Sequence, residues 1–581
     1  MTRTALPASA RRLAFLAVCG ALLGLLGGLA SYALLALIGL LTNLAFFDRG
    51  GWDIPSFAAL EASPRIVIVA VLGAFAVTLI ARWAPMVRGH GIPETMEAIL
   101  VRQSRIPPRA AIAKPLSSAI AIGTGGPFGA EGPIIVTGGS LGSLLGQLLP
   151  VSPSERKILL ASGAAAGMAA TFGTPLAAVV LAIELLLFEF STRAFVPLVV
   201  ASTVATGVHR TLLGAGPLFS VPPHDFQGLA QLPLYAALGV LCGLFAVVVT
   251  RGFFLVEEGF RRLPVGVFWH PVLGALAFST IALLEPRALG VGYETITDIL
   301  HARIAVGALA ALLAVKLLVW WIALGSGTSG GTLAPILLVG GAFGGVAGAL
   351  LSGVAPATGI DPGAFALVSM AATFGAATQA TFASMVFMFE VTRDWQILLP
   401  LMLACVTADV VAAALLPISL MTERLSRRGL KVETQYQVDV LSTTLVRDVM
   451  TADVRTLDAE TDLGEARRRL ETGRHNAYPV VDSAGRCLGV VRKRDLLETD
   501  RPDEARVLDI LGRDVVTVAP ESTTLAALSL LLEEEVEHLP VVAEGRLVGI
   551  CTRSDIMRAR LRQFESERRQ AGWRPGRAGR S

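Results

Sequence analysis

The stretch GAEGPIIVTGG, Gly129–Gly139, returns 202 residues later as GTLAPILLVGG, Gly331–Gly341. The same offset pairs Gly142 with Gly344, Gly146 with Gly348, and MAATFG at 168–173 with MAATFG at 370–375. One offset held over about 45 residues marks a duplicated unit rather than a coincidence of Ala- and Gly-rich composition. Each copy is entered through a Gly-rich, Pro-punctuated run: GTGGPFGAEGP at Gly123–Pro133 and GSGTSGGTLAP at Gly325–Pro335. Neither run reads as a plain spanning helix. Each reads as a loop leading into a helix at membrane depth, which is tolerated only where protein or water covers the exposed backbone. Two homologous halves with broken, Gly-rich segments point to a binding site at the repeat interface.

The surroundings fit that setting. Apolar stretches recur over roughly 13–46, 65–86, 155–187, 194–208, 229–255, 267–283, 303–324, 332–352, 364–388 and 396–417. The longer ones suffice for a hydrocarbon core of about 30 Å. The chain has 581 residues, 53% of them hydrophobic, and its charge is unevenly placed. Of 95 charged residues, 47 fall in the last 141 positions and 48 in the first 440. The front is therefore too poor in charge for an ordinary soluble domain and the tail is not. This excludes a soluble enzyme, a secreted protein and a fibrous chain. The first apolar stretch is too long for a signal peptide. Arg11 and Arg12 precede it, and Arg424, Arg427, Arg428 and Lys431 follow the last one. Both termini are thus expected in the cytoplasm, with an even number of crossings, in a multi-pass protein of the cell membrane. The five Cys are scattered, which leaves neither a disulfide framework nor a metal site. A net charge of +3 and the absence of a long basic block give no reason to expect a nucleic-acid partner.

Helix N-termini carry free backbone N–H groups and the positive end of the helix dipole. They suit small anions without a full buried cation, which would hold a cargo too tightly to release it. Glu131 lies where one such helix begins. It is either a gate, its carboxylate standing in for the anion, or a first-turn acid capping its own helix. Glu184 and Glu390 end matching apolar runs in the two halves. They read as structural helix-end carboxylates, with a proton route as the alternative. Lys114 and Lys316 are expected near helix ends, snorkelling to the interface.

Three motifs resemble those of the family of chloride channels and chloride/proton exchangers, the CLC family. GHGIPE (Gly89–Glu94) is similar to its first anion-site loop, GSGIP. GAEGP (Gly129–Pro133) is similar to the gating-glutamate motif, GREGP or GKEGP, and GTLAP (Gly331–Pro335) to GxFxP. FEVTRDWQILLP (Phe389–Pro400) fits the stretch before the final membrane helices. The resemblance covers most of residues 15–430. It implies an all-α polytopic membrane protein of two inverted-topology halves with broken helices, assembled as a homodimer with one pore per subunit. It implies Glu131 as the gating glutamate and an anion site built from His90, Gly91, Ile92, Gly132, Thr332, Leu333 and Met421. His90 stands where the family has serine and Met421, in SLMTERL, where it has tyrosine, so neither usual hydroxyl is present. Exchangers of the family carry a second glutamate directly after the position of Glu184; here that residue is Leu185.

The tail holds a second duplication. Asp448-Val449-Met450 matches Asp509-Ile510-Leu511 and Tyr478-Pro479-Val480 matches Leu539-Pro540-Val541, both at offset 61. Each unit reads helix, short strand, helix, strand, hairpin, strand, helix. The pattern resembles a tandem pair of cystathionine-beta-synthase (CBS) domains, an α/β module. Its implied adenine-nucleotide cleft would use His538, Pro540, Thr552 and Asp555; the alternative is that Asp555 caps a helix and the tail is purely structural.

The expected organisation is therefore a cytoplasmic N-terminus over 1–12, an anion-transport domain over 13–430, CBS units over 447–499 and 508–560, and a basic tail over 561–581. The expected function is passage of small anions, chloride foremost, as a voltage-gated-type channel gated by Glu131 and modulated by the CBS pair. No covalent chemistry and no required cofactor are expected. The alternatives are an anion/proton antiporter for chloride, nitrate or fluoride, with Glu131 and Glu184 on the proton route, and a membrane-embedded CBS sensor with a vestigial pathway.

Overall fold

A computed structural model describes residues 8–222, 228–416, 418–427, 441, 444–472, 477–511 and 515–558. The basic tail at 561–581, most of 1–12 and the segment holding Arg428 and Lys431 lie outside the described residues. The chain divides into two compact units, 1–435 and 436–581.

The first unit is helical. Its first eight α-helices are α1 (Ala8–Phe46), α2 (Pro64–Trp83), α3 (Ile92–Val101), α4 (Ala110–Gly123), α5 (Glu131–Leu148), α6 (Pro153–Phe172), α7 (Pro175–Ala182) and α8 (Thr192–Leu212). The next eight are α9 (Leu232–Arg262), α10 (His270–Ala282), α11 (Tyr293–Leu300), α12 (Val306–Gly325), α13 (Leu333–Val354), α14 (Pro362–Thr378), α15 (Thr381–Thr392) and α16 (Leu398–Leu415). A short α17 (Glu423–Arg427) follows. The packing of the first eight is repeated by the second eight: α5 on α6 and α13 on α14, α1 on α8 and α9 on α16, α2 on α4 and α10 on α12. Seven helices among the described residues are long and apolar enough to cross a membrane; others, such as α4, α10 and α15, are shorter. The apolar stretches over 155–187 and 364–388 are each divided in two, at Gly173 and at Gln379, both with positive φ.

Different residues reach the same local solution in the two halves. Ser152 starts α6 with a capping box: its Oγ accepts from Glu155 N at 3.2 Å, and Glu155 Oε2 accepts from Ser152 N at 2.9 Å. Asp361 starts α14 by accepting from Gly363 N at 2.9 Å. Glu155 also takes Arg12 Nε at 2.7 Å and Arg193 Nη2 at 2.5 Å, which ties the start of α1 and α8 to α6. Glu184 and Glu390 are reciprocal caps across the halves. Glu184 Oε2 accepts from Ala383 N at 2.9 Å, at the start of α15. Glu390 accepts from Leu176 N at 3.0 Å and Ala177 N at 2.7 Å, at the start of α7. Each carboxylate satisfies orphan amides at the positive end of the partner helix.

Close approach of helices rests on glycine. A Cβ on Gly138 of α5 would strike the Gly163 carbonyl of α6, and a Cβ on Gly163 would strike that of Gly138. Small residues at such crossings let backbones pack in lipid, where no hydrophobic drive exists between helices.

The second unit has two cores. In the first CBS unit, β1 (Leu457–Asp458) pairs parallel with β2 (Ala477–Val481), and β2 antiparallel with β3 (Cys487–Arg492). In the second, β4 (His538–Ala543) pairs antiparallel with β5 (Arg546–Thr552). The expected first strand there is only a bridge, Val518 with Val541. Thr451 and Ile550 exchange backbone hydrogen bonds and join the units.

Gly138→Ala is expected to destabilise the protein by about 1–3 kcal/mol through overpacking. Gly259→Ala, in α9 with nothing within 4 Å of an added Cβ, should be neutral or slightly stabilising. Thermal unfolding in detergent separates the two.

Candidate functional site

Three loops at the repeat interface are stitched backbone to backbone. Gly129 N donates to Gly331 O at 3.1 Å and Gly331 N to Gly129 O at 2.9 Å. Gly89 bridges Ser329, whose Oγ also meets Ser117 at 3.1 Å and Ser118 at 2.8 Å on α4. Side chains are excluded at the crossing. A Cβ on Gly132 would strike the His90 carbonyl and lie 3.1 Å from Gly331 Cα. Gly91 has φ +100°, and a Cβ there would lie 2.6 Å from Gly132 O.

The lysine expectation is corrected here. Lys114 and Lys316 are fully buried and do not snorkel. Lys114 Nζ donates to Val87 O at 2.8 Å and Gly89 O at 2.6 Å; Lys316 Nζ donates to Ala288 O at 2.8 Å and Gly290 O at 3.2 Å. The two lysines are 202 residues apart, the repeat offset. A buried ammonium is tolerated only where its protons are bonded. Here each one fixes the loop that feeds a helix start: α3 after Gly89 and α11 after Gly290. Lys316 also interacts electrostatically with Glu131.

Glu131 opens α5 and has no exposed surface. Its carboxylate is near the backbone amides of Glu131 itself and of Ala334, in the first turn of α13, without a hydrogen bond to Ala334 N. The carboxylate thus lies near two helix N-termini, one from each half. Tyr293 Oη donates to Glu131 Oε1 at 3.0 Å. Oε2 makes no hydrogen bond, and Cβ atoms on Gly129 or Gly331 would collide with it.

Tyr293 was not expected at the site. It is the first residue of α11 and packs edge-on against Phe172 and Phe219, with ring centroids 6.4 and 6.1 Å apart. A small cavity of about 70 Å³, lined by Phe57, Arg287 and Thr295, reaches the tyrosine. The signal for it was present: Gly290-Val291-Gly292 repeats Gly89-His90-Gly91 at offset 201, so the residue after the motif faces the same interface.

The remaining expected anion ligands fare unequally. Gly91 N is already engaged, donating to Glu94 Oε2 at 2.8 Å in a capping box on α3, so its amide is removed from the ligand set. Ile92, Gly132, Thr332 and Leu333 are buried at the starts of α3, α5 and α13. His90 is buried in the loop between them. Met421 is buried in the turn before α17, which packs on α3; Leu420 N holds that turn by donating to Ala377 O at 3.0 Å. The Thr332 hydroxyl is buried and has no hydrogen-bond partner among the described residues. Glu184 lies away from these helix starts as a cap on α15, and Leu185 is buried.

In the tail, His538, Thr552 and Asp555 line a cleft of about 680 Å³ together with Pro479, Arg455 and Arg553. Pro540 does not line it: its carbonyl accepts from Val518 N at 3.1 Å, within the sheet. Pro479 of the first unit takes the place expected for Pro540. Asp555 Oδ2 accepts from Thr552 N at 2.9 Å and Thr552 Oγ1 at 2.6 Å, and Oδ1 from Arg558 at 2.8 Å. Its carboxylate therefore caps the following turn while facing the cleft.

A helical membrane unit with anion-suited helix starts at a repeat interface defines a polytopic anion-transport protein, and comparisons with known proteins agree. The family model for voltage-gated chloride channels matches residues 72–413, and that for CBS domains matches 446–501 and 507–562. The chain belongs to the CLC family of chloride channels and transporters and carries a CBS pair. It is 30% identical over 362 residues to the H(+)/Cl(-) exchange transporter ClcA of Vibrio parahaemolyticus, covering 60% of this chain and 76% of that one. It is 28% identical over 568 residues to the chloride channel protein CLC-f of Arabidopsis thaliana, covering 83% and 71%. Among solved structures, a slow cyanobacterial Cl-/H+ antiporter aligns with TM-score 0.62 at 25% identity, covering 73% of this chain and 99% of that one. A eukaryotic CLC transporter shares the fold, with TM-score 0.59 at 23% identity and 93% and 97% coverage.

Two expectations follow. Tyr293→Phe removes a hydrogen bond to a charged group and should raise anion flux at neutral pH by on the order of tenfold, read as chloride efflux from liposomes. In the tail, burial pushes the His538 imidazole below its ordinary value of 6.5, against the pull of Glu537 and Asp555. The unfolded chain then binds the proton more readily than the folded one, so stability is full above about pH 6.5 and falls on acidification. Hydrogen exchange at β4 and β5 of the full chain should quicken from pH 7 to pH 5, after correction for intrinsic rates, and His538→Gln should flatten that change.

Proposed function

We propose that this protein exchanges chloride-class anions for protons, with Glu131 as the gate and the proton acceptor. The observation that carries the proposal is the Glu131 carboxylate, held between the starts of α5 and α13 with one oxygen on Tyr293. A carboxylate there occupies a place built for an anion. Protonation weakens its hold on the amides and frees the place for cargo; the departing anion and the returning carboxylate then alternate. The amides of Ile92, Gly132, Thr332 and Leu333 and the Thr332 hydroxyl supply donors that stand in for the absent serine and tyrosine hydroxyls. His90 and Met421 complete the wall of the path. Partial charges of this kind bind an ion and still release it.

Exchange is preferred to the channel reading because relatives over the same segment are named as proton/chloride exchangers. Uncoupled, channel-like passage is favoured by one feature, the apolar Leu185 after Glu184. In the exchange reading the inner proton step uses another route, and Glu184, though engaged as a cap, is the acid to test for it.

The remaining architecture follows the same reading. The halves α1–α8 and α9–α16 are inverted repeats, two copies of the chain form a homodimer, and both termini are cytoplasmic. The CBS cleft takes an adenine nucleotide, its ribose toward Asp555 and its phosphates toward Arg455 and Arg553, and modulates transport.

Paired chloride and proton flux from proteoliposomes tests the proposal. Chloride efflux should drive proton uptake, and both should depend on pH. Glu131→Gln should keep chloride flux, lose proton movement and flatten the pH dependence. Proton movement that survives the substitution, or wild-type chloride flux without protons, would decide against exchange through Glu131.

A further inference from the structure

A second cavity lies apart from the anion site, behind α3. It has a volume of about 530 Å³ and opens where α2 ends at Trp83 and α4 begins. Arg88, Arg102, Arg105 and Arg109 line it, along with Glu94 and Glu97. Both carboxylates have partners: Glu94 caps α3 at Gly91 N, and Glu97 takes Arg102 at 2.9 Å. Among the described residues no carboxylate lies within ion-pair distance of Arg88, Arg105 or Arg109. Arg88 Nε is buried without a hydrogen bond, and Arg109 donates only to the Trp83 carbonyl, at 3.3 Å. Four arginines thus face two carboxylates around one space, and Arg88, Arg105 and Arg109 have no ion-pair partner among the described residues, an arrangement whose net positive charge favours an anionic occupant.

The flank of the cavity is apolar. Trp83, Pro85, Met86 and Pro107 form its wall. Beside it Ile112 is 67% exposed and Trp83 55%, and Leu79, Leu100 and Leu116 are exposed as well. Exposed aliphatic residues on α2 and α4 belong against acyl chains, and a tryptophan at the helix end marks headgroup depth. A soluble anion has no use for such a flank. Basic pockets between helices at the cytoplasmic side are places where phospholipid headgroups bind. Arginine forks suit phosphate oxygens in particular.

We propose that this cavity binds an anionic phospholipid, its phosphate on Arg88, Arg105 and Arg109 and its chains along Ile112 and Leu116. The lipid bears on transport through α3. Glu94, Glu97 and Ala98 of α3 form one wall of the cavity, and the start of the same helix carries Ile92 into the anion site. Arg88 directly precedes the Gly89 loop that Lys114 holds. The effect on flux and the choice of leaflet rest on the transport reading and on cytoplasmic termini; the binding itself does not.

The test uses the full chain in detergent, with retained lipid counted by native mass spectrometry. Wild type should retain phosphatidylglycerol over phosphatidylcholine. The double variant Arg105→Gln, Arg109→Gln should lower that retention by about 25-fold, at about fivefold per basic residue. Arg105→Lys with Arg109→Lys keeps the charge and should retain most of it, which separates lost binding from lost folding. Equal retention of the two lipids by wild type, or unchanged retention in the Gln pair, overturns the site. Displacement of the lipid by glycerol 3-phosphate at equal concentration overturns the lipid in favour of a soluble phosphate. In liposomes, wild-type chloride efflux should differ between phosphatidylcholine alone and mixtures with phosphatidylglycerol, and the Gln pair should not discriminate. Equal wild-type efflux in both overturns the link to transport. Absence of efflux in every lipid is a failure of the transport reading, and the binding result still decides the site.

Discussion

The pair of hydrogen bonds between Gly129 and Gly331 is the contact on which the rest of the membrane unit depends. It joins two interrupted helices from opposite halves, backbone to backbone, where both glycines are buried in the protein and the broken backbone needs partners. Once the interruptions are joined there, the starts of α5 and α13 must face one another. Glycine is required in the joint, because a Cβ at Gly331 meets the Gly129 carbonyl and one at Gly132 meets the His90 carbonyl. The glycine excess of the chain is thus partly the cost of bringing two helix dipoles onto one point.

Charge is sparse in the membrane unit, and three of its buried charges, Glu131, Lys114 and Lys316, lie at the repeat interface or hold its loops. Glu131 occupies the meeting point of the dipoles. Lys316 lies near it and holds the loop that delivers Tyr293, so one cation both balances the carboxylate and positions its hydrogen-bond donor. Lys114 holds the corresponding loop in the other half through the Val87 and Gly89 carbonyls. The duplication therefore produced two similar frames, with Glu131 in one half where the other half has Leu333. A buried ammonium is expensive to desolvate, and one stands at both repeat positions, donating to the carbonyls of the loop it holds.

Much of the fold was legible because the evidence was periodic. An offset of 202 gave the halves, the apolar runs gave the helices, and an offset of 61 gave the two tail units. Glu131 was legible because a carboxylate in a glycine-rich helix start has few uses. Several of the residues that escaped share a cause: hydrogen-bond partners distant in sequence. The lysines looked like interfacial residues because their carbonyl partners lie about 27 positions back. Tyr293 lies 162 positions from Glu131, and its motif sits at a repeat offset one residue off the main one. Gly91 looked like an anion ligand until its amide was found on Glu94, and Pro540 looked like a cleft residue until its carbonyl was found in the sheet. The Thr332 hydroxyl was in view throughout, but only burial without a partner distinguishes it from an ordinary cap.

The reciprocal caps of Glu184 and Glu390 have a mechanical consequence. Each acid, from the end of one half's helix, grips the first turn of the other half's helix, so the halves are clasped like two hooked hands. A rocking motion of one half against the other would have to open both clasps and the glycine joint together. That means five hydrogen bonds, three of them to carboxylates, at a cost of several kcal/mol. Rotation of the Glu131 side chain breaks none of these. In the proposed exchange, therefore, the swing of that one carboxylate asks less of the fold than a movement of one half against the other, and the clasp serves as its fixed mount.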